Sequence, residues 1–496
     1  MKIENPEENS LEDEDPYLLD NVLAKFGATN PVPLYITTVM GSLWILGAMA
    51  SMSPAYMSPS KPVANSTFET VQVEFNITKG YIDRGEFVSS AYFVGCLCMG
   101  QFYAILADRY GRRPLLVFSV IMSGIFGMLG SFSPTFSVVL VCRLMQGSFA
   151  GIVTITNWVM CAESIPFKSH GIASVFFGIC WVLGYIMIAP FSMMVSSWRY
   201  LMFLCSLPMF LMGVLLAFTL PESIAFSVEK QKSGQVEKWL RLANRTRKDK
   251  IIVDTQKLIE ANVRVKTKDE TLLQQLSLLI KDKHILLCTS MQCIIWAIDF
   301  CEYNALSLTA TSVGGHNHHV SFIFSGLIEL PSYFLVPPMI DWIGRKPSVI
   351  IAHLITSVSM FIMFFIDSHM HSAIFLILWL TAKFSISCAY MSCFVYGAEL
   401  FPTVCRSMCL GVCTTLCNLG AMISPHVLAL DRLLFPRCSF LFHACVCILA
   451  AWATTPLPET KDSHGKIPES ELRTSRTSGM TISDYVETPL VEHEKS

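Results

Sequence analysis

The sequence predicts an all-α membrane protein with twelve transmembrane helices arranged as two pseudo-repeated six-helix bundles. Three observations lead there. Of 496 residues, 52% are hydrophobic and only 15% charged, with a mean hydropathy of +0.50, whereas an ordinary soluble domain is about 25% charged. The apolar residues fall into twelve runs close to the length of about 20 residues that a helix needs to cross a bilayer core about 30 Å thick. A set of charged turns occurs twice, in the same order, once in each half of the chain.

In chain order, residues 1–33 form an acidic N-terminal tail. It lacks the basic start and short apolar core of a cleaved signal peptide, so the first run, 34–53, is expected to remain as a spanning helix. A polar loop, 54–86, precedes runs 87–107, 115–132, 136–160, 171–194 and 200–220, which complete an N-terminal bundle spanning 34–220. The polar insert 221–285 follows. Runs 286–309, 320–339, 349–366, 373–396, 407–429 and 435–455 make a C-terminal bundle, 286–455, and a polar tail occupies 456–496.

Lysine and arginine collect on the cytosolic side of membrane proteins. The insert 221–285 holds 14 of them, and the loops predicted to lie on the opposite side hold six in all. Both termini and the insert are therefore expected in the cytosol, and loop 54–86 outside. That places the sequons at Asn65 and Asn76 where glycosylation can reach them. The insert reads as short amphipathic helices, with "VEKWLRLANRTRKDK" basic enough to lie on anionic lipid.

The repeats are specific. Asp108-Arg-Tyr-Gly-Arg-Arg-Pro follows the second run and Asp341-Trp-Ile-Gly-Arg-Lys-Pro the eighth; Ala-Glu163 and Ala-Glu399 follow the fourth and tenth; Pro-Glu222 and Pro-Glu459 follow the sixth and twelfth. Subtraction gives offsets of 233, 236 and 237 residues, and duplicated six-helix halves are a common plan of secondary transporters. Gly111 and Gly344 permit a tight turn, and Pro114 and Pro347 suit a first helical turn. Asp108 and Asp341 are expected to accept hydrogen bonds from a helix N-terminus. Arg109, Arg112, Arg113, Arg345 and Lys346 are expected to pair with Glu163, Glu222, Glu399 or Glu459, latching the two halves together on the cytosolic side.

These residues resemble the major facilitator superfamily, and within it the organic cation/anion/carnitine transporter family, solute carrier family 22. The resemblance is carried by "ETVQVEFNITKGYIDRGEFVSSAYFVG", "CRLMQGS", "WRYLMFLCSLP", "PES" and "YGAELFPTVCRSMCLGVCTT". It implies a carrier in the plasma membrane that moves a small organic ion, with no cofactor. Departures are a short first external loop without cysteines, Ala104 for a glycine, His170 for an arginine whose counterpart Arg406 is kept, and Ala225 for an arginine after Pro-Glu-Ser. They leave the first-half latch weaker than the family's.

Charge inside a membrane helix costs about 2.5–3.5 kcal/mol, so each instance is a functional candidate. Trp296, Asp299 and Tyr303 recur at helical spacing in "WAIDFCEYNAL", an acid between aromatics suited to an organic cation. Glu302 is offset from that face. Glu329 lies midway along the eighth run, and its alternative role is a structural pair with Lys383 or Arg143. The resemblance places Trp181, Trp296, Asp299, Tyr303 and Glu329 at substrate contacts. It also aligns Asn418 where cation carriers have an aspartate and anion carriers an arginine, and Tyr333 where anion carriers have a lysine. Lys383 is common to the branches. The anion-binding charges are missing while the acid is kept, which favours an organic cation or zwitterion.

The remaining features are read as structural. The 18 cysteines avoid the external loop and act as small packing residues, including the column Cys405, Cys409, Cys413 and Cys417. His316, His318 and His319 are expected in a solvated loop, and no metal site is assigned. A net charge of −2 gives no field for nucleic acid. No nucleophile triad or phosphate-binding loop points to an enzyme. The partners expected are a small organic ion and the lipid bilayer, with the oligomeric state open. The rival readings are an organic anion exchanger and a transport-dead relative that binds or senses.

Overall fold

The computed structural model describes residues 16–59, 68–77, 83–245, 247, 249–266, 281–313, 317–366, 372–401 and 405–461, and for 100–105, 108, 264–266 and 407 the backbone alone. The chain is helical almost throughout. The long helices are α1 (Pro31–Met52), α2 (Phe87–Tyr110), α3 (Arg112–Ser131), α4 (Phe136–Ala162), α5 (His170–Met194) and α6 (Trp198–Thr219). After the connection come α7 (Lys283–Thr309), α8 in two segments (His318–Leu327 and Leu330–Ile343), α9 (Arg345–Phe365), α10 (Ser372–Leu400), α11 (Arg406–Ile423) and α12 (Cys438–Thr454). Ten helical segments among the described residues are long and apolar enough to cross a membrane. The other two expected spans are present as α2, with 24 residues, and α12, with 17.

Several expected edges move. Helices α3 and α9 begin at Arg112 and Arg345, immediately after the turn glycine, because that turn already supplies their N-terminal partners. Helix α11 stops at Ile423, since Pro425 lacks an N–H, and the chain continues as a 3-10 turn, Ser424–Ala429. Helix α8 breaks at Ile328–Glu329, just before Pro331, whose missing N–H removes a helical hydrogen bond.

The duplication seen in the sequence reappears in the packing. In the first half α1 packs on α4, α5 and α6, α2 on α4, and α3 on α4 and α6; in the second, α7 packs on α10, α11 and α12, α8 on α10, and α9 on α10 and α12. Adding six to every label of the first set yields the second. The closest approaches repeat as well. A Cβ on Gly184 of α5 would lie 2.1 Å from the Ile45 carbonyl of α1, and one on Gly420 of α11 only 1.9 Å from the Ala297 carbonyl of α7, so only glycine lets these backbones meet. The halves touch each other along α2 with α11 and α5 with α8.

One end of the bundle, the linker face, carries the start of the chain and the connection between the halves. Here the helix Leu19–Phe26 buries Val22, Leu23 and Phe26 against Ile224, Val236, Trp239, Leu240 and Leu258 of the connection. Asn30 donates to the Ala243 carbonyl (2.8 Å), and the Phe167 amide donates to Asp20 (2.8 Å), fastening this layer to the first half. Two expectations are corrected. The N-terminal segment is not merely a tail, and the apolar face of Ser233–Asn244 is taken up by protein rather than by lipid.

At the opposite, distal face the loop after α1 is tied to the start of α6. Glu69 exchanges backbone bonds with Ser196 and Trp198 (both 2.9 Å). Glu74 accepts from Trp198 Nε1 (2.7 Å) and from the Arg199 guanidinium. Burial raises the Glu74 pKa, but those hydrogen bonds outweigh it and hold the carboxyl below its ordinary value. Asn76 is exposed, with φ +51°; Asn65 lies outside the described residues.

Candidate functional site

The halves meet at a polar cluster buried in the middle of the bundle. The Tyr303 hydroxyl on α7 accepts a hydrogen bond from Trp181 Nε1 on α5 (2.6 Å) and donates to Glu329 Oε2 (3.0 Å), which sits in the break of α8. Glu329 Oε1 stands 2.9 Å from Lys383 Nζ of α10. Lys383 also donates to the Tyr303 carbonyl (3.3 Å) and to Ser307 Oγ, and its ammonium lies 3.5 Å from the Tyr303 ring centre. The ammonium thus makes two hydrogen bonds and one ion-pair contact. The pair is fully buried and neutral as a unit, the arrangement that makes charge tolerable away from water. Of the alternative partners considered for Glu329, Lys383 is the one in place; Arg143 instead donates to Val88 and Ala50 carbonyls and to Gln146.

Aromatic rings line this cluster. Trp44 of α1 meets Trp181 edge-on at 5.8 Å, and Tyr390 of α10 lies 6.2 Å from Tyr303 and 5.8 Å from Phe300. Trp44 and Tyr390 were not foreseen. Trp44 Nε1 is buried without a partner among the described residues. The only signal in the sequence was an aromatic near the middle of an apolar run. Trp296 packs on Phe394 at 4.5 Å and donates to Gln292 (3.1 Å). Tyr333 presses on Gly178 of α5, where a Cβ would come within 2.2 Å of its ring. Asn418 donates to the Thr414 carbonyl of its own helix (2.9 Å).

Asp299 does not join them. It is fully buried, with Oδ1 2.8 Å from His353 Nε2 of α9 but outside hydrogen-bond geometry, whereas Glu302 is hydrogen-bonded to His443 Nδ1 of α12 (2.8 Å). The expected common face of Trp296, Asp299 and Tyr303 is about 60° wide at about 100° per residue. That is enough to turn Asp299 from the seam into the interior of its own half. Glu302, offset from that face as expected, meets His443 of α12.

On the linker face the predicted charges assemble twice with the same geometry. Glu222 accepts from the amides of Arg112 and Arg113 (3.1 and 3.0 Å), and Glu459 from those of Arg345 and Lys346 (2.9 and 3.1 Å). Arg112 pairs with Glu163 (3.1 Å) and Arg345 with Glu399 (2.9 Å). Ser223 and Thr460 hydroxyls reach the same two acids. Arg113 and Lys346 close on the carbonyls of Ala217 and Thr455. Gly111 and Gly344 share φ +109°, and a Cβ on either would press on Glu222 or Glu459.

Two expectations are corrected here. The helix N-termini are capped by Glu222 and Glu459, and Asp341, expected in that role, is exposed and pairs with Arg345 (3.2 Å); the expectation for Asp108 falls on a side chain outside the described residues. Each ion pair also closes within its own half, because all three turns of a set lie at one end of one bundle. Among the described residues none bridges the halves on this face. Arg109 is exposed, and Arg406 donates to the Phe401 carbonyl (3.2 Å). His170, in the arginine position, contacts the Ala162 carbonyl (3.1 Å).

The bonds between halves lie instead at mid-depth and on the distal face. Glu86, at the start of α2, is buried between His426 (3.0 Å) and Arg432 (2.7 Å) after α11, and Ser90 Oγ donates to the Met422 carbonyl (2.8 Å). Tyr56 stacks on His319 at 5.3 Å, and Ser192 meets the same ring (3.3 Å). His318 and His319 thus open α8 and pack across the seam rather than in a solvated loop; His316 lies outside the described residues.

The sequence that folds into these two equivalent sets of helices matches a known family profile. That of the Major Facilitator Superfamily covers residues 35–425. The chain belongs to the Major Facilitator Superfamily. This is a superfamily of transporters rather than enzymes, and the chain is a multi-pass secondary transporter. It is 29% identical to the Caenorhabditis elegans protein B0252.3, over 94% of this chain and 93% of that one. It is 24% identical to solute carrier family 22 member 6 of Rattus norvegicus (80% and 72% covered). Organic anion transporter 3 of Oryctolagus cuniculus is 25% identical (80% and 73% covered). The inward-open xylose transporter XylE from E. coli superposes with a TM-score of 0.63 at 19% identity, over 88% of this chain and 99% of that one, a likeness of fold. For this facilitator the seam between α5, α7, α8 and α10 is the candidate substrate region.

Proposed function

We propose that this facilitator moves a small organic ion across the plasma membrane by alternating access, with both termini and the linker face in the cytosol. The single observation that carries the reading is Tyr303, whose hydroxyl joins Trp181 of one half to the Glu329–Lys383 pair of the other at the break in α8. Discontinuous helices at the interface of repeats are where carriers bind substrate. The orientation rests on the 14 basic residues of the insert. The inter-half bonds of Glu86, Ser90 and Tyr56 support a state closed at the external face.

The substrate class follows from charge. The seam offers one acid and one base already paired, with Trp44, Trp181, Tyr303 and Tyr390 around them. A cation competes with Lys383 for Glu329 and gains ring faces; a zwitterion engages both members at once. We favour an organic cation or zwitterion. An organic anion, held by Lys383, is the second reading, and the relative named organic anion transporter 3 favours it.

Uptake of labelled tetraethylammonium, carnitine and para-aminohippurate by cells expressing the chain, with surface expression measured in parallel, tests the reading. Saturable uptake of the first or second, lost in Glu329→Gln, supports it. Uptake of para-aminohippurate alone selects the anion reading. Binding without flux for all three leaves a transport-dead relative.

A further inference from the structure

We propose that His426 is a proton-operated latch of the distal closure: protonated, it ties the two halves together, and neutral, it releases part of the tie. The latch builds on the carrier reading, which makes the distal face external, and adds a regulation by external pH.

His426 sits in the 3-10 turn after α11 and reaches the start of α2 in the other half. Its Nδ1 is 3.0 Å from Glu86 Oε2, while Arg432 donates to Oε1 (2.7 Å). Arginine stays charged and keeps this carboxylate ionised, so Glu86 only accepts and Nδ1 carries a hydrogen. Nε2 is 2.9 Å from Ser90 Oγ, and Ser90 Oγ donates to the Met422 carbonyl (2.8 Å). A serine has one hydrogen and a carbonyl only accepts. With that hydrogen on Met422, the Ser90 oxygen accepts from Nε2, and the ring carries two hydrogens. Removing one proton forces Ser90 to turn its hydrogen to Nε2 and to leave the Met422 carbonyl. The whole set of contacts therefore holds together only around the imidazolium, and every one of them crosses from one half to the other. His319 differs. Its Nδ1 meets Ser192 Oγ (3.3 Å), whose hydrogen goes to the Ala189 carbonyl (2.7 Å), and a neutral ring with its hydrogen on Nδ1 satisfies both.

The charged groups facing the ring are Glu86 from the start of α2 and Arg432 from the connection after α11. Phe87 lies 4.8 Å from it, and α4 brings only Leu140 and Leu144 to the crevice of about 420 Å³ that the ring lines. Helices α7 and α12 also pack on this turn. Their Asp299, Glu302 and His443 are engaged elsewhere, the first beside His353 and the other two with each other. Asp431, next to Arg432, accepts from the Ser439 amide (2.7 Å). The acid is buried, but the ring is 26% exposed and Arg432 35%, so protons reach the ring from the distal side. Imidazole is the side chain that changes charge between about pH 5 and 8. The closed distal face holds the extra proton, so acid on that side favours closure and alkali favours opening. One proton thus controls an ion pair and a hydrogen bond between the halves.

Spin labels on unnatural amino acids at Val73 and Leu434, exposed on the distal side of the first and second halves, measure the opening in nanodiscs without any substrate. Wild-type protein should show a short distance at pH 5 and a longer population that grows towards pH 9. The open-to-closed ratio should change by up to about tenfold per pH unit while one proton is exchanged. His426→Gln cannot titrate and should give a distribution independent of pH. Ser90→Ala, which removes the partner that turns, should weaken the dependence. A wild-type distribution constant from pH 5 to 9 overturns the proposal, and this arm needs no histidine variant to fold. A dependence unchanged in His426→Gln, or lost in His319→Gln instead, overturns it as well. If none of tetraethylammonium, carnitine and para-aminohippurate is carried but the distance follows pH through His426, the carrier reading fails while the latch stands.

Discussion

Trp181 donates its indole N–H to the hydroxyl of Tyr303 at 2.6 Å, a direct hydrogen bond from one half of the molecule to the other. Trp181→Phe keeps an aromatic side chain but removes the indole N–H together with part of the ring. A neutral hydrogen bond contributes about 0.5–1.5 kcal/mol. The variant should raise KM for the transported ion up to about tenfold, with surface expression unchanged. Uptake kinetics check this, and wild-type KM would remove Trp181 from the site.

Glu329 and Lys383 are buried together, so losing one strands the other. Glu329→Gln or Lys383→Met alone should cost about 3–5 kcal/mol, and the double substitution much less. Thermal unfolding of detergent-solubilised protein measures both. Equal losses in the double and single variants would show that the pair is not coupled.

Gly111 and Gly344 adopt the same φ of +109° beside Glu222 and Glu459. Gly111→Ala and Gly344→Ala should each destabilise by about 1–3 kcal/mol, and by similar amounts, because the two turns are copies. The same unfolding assay compares them. A silent substitution in either half would mean that its turn relaxes without cost.

Arg432 and His426 hold Glu86 across the distal seam. Arg432→Ala should loosen that closure and raise hydrogen–deuterium exchange at the distal ends of α2 and α11, leaving the linker-face turns unchanged. Exchange that rises equally at both faces would indicate general destabilisation instead.

Glu74 is held below the ordinary carboxylate value by Arg199 and Trp198. A lowered folded pKa contributes stability above the unfolded pKa, about 4.3 for glutamate, and that contribution is lost as pH falls through the folded value. Glu74→Gln should therefore be less stable than wild type at pH 7, and the difference should vanish in acid. Unfolding curves at pH 7 and pH 3 give the comparison.

The sequence revealed most about what is local and duplicated. Glu163 and Glu399, or Glu222 and Glu459, stand at fixed offsets beside turn residues, and the offset alone reveals the repeat. It does not reveal which partners close, so a tie between halves was expected where the structure has one tie inside each. The sense of Asp299 was likewise hidden. A helical face is legible only to about 60°, and Asp299 lies just about 40° round α7 from Tyr303 of the seam. His353 and His443 lie far along the chain in apolar runs, with nothing to link them to α7. Pro331 is legible as a residue without an N–H, but the run 320–339 reads as one helix, and the break beside the buried Glu329 was missed.

That break places a joint inside the presumed binding region. The ten residues of His318–Leu327 are packed by His319 against Tyr56, and their helical ladder is interrupted from the rest of α8 at Glu329. A ligand lodged beside Glu329 would stiffen the joint and, through it, the outer closure. A bulky occupant that fits the rings but wedges the joint would arrest the cycle, so tight binders of this chain should be found among blockers rather than among fast substrates.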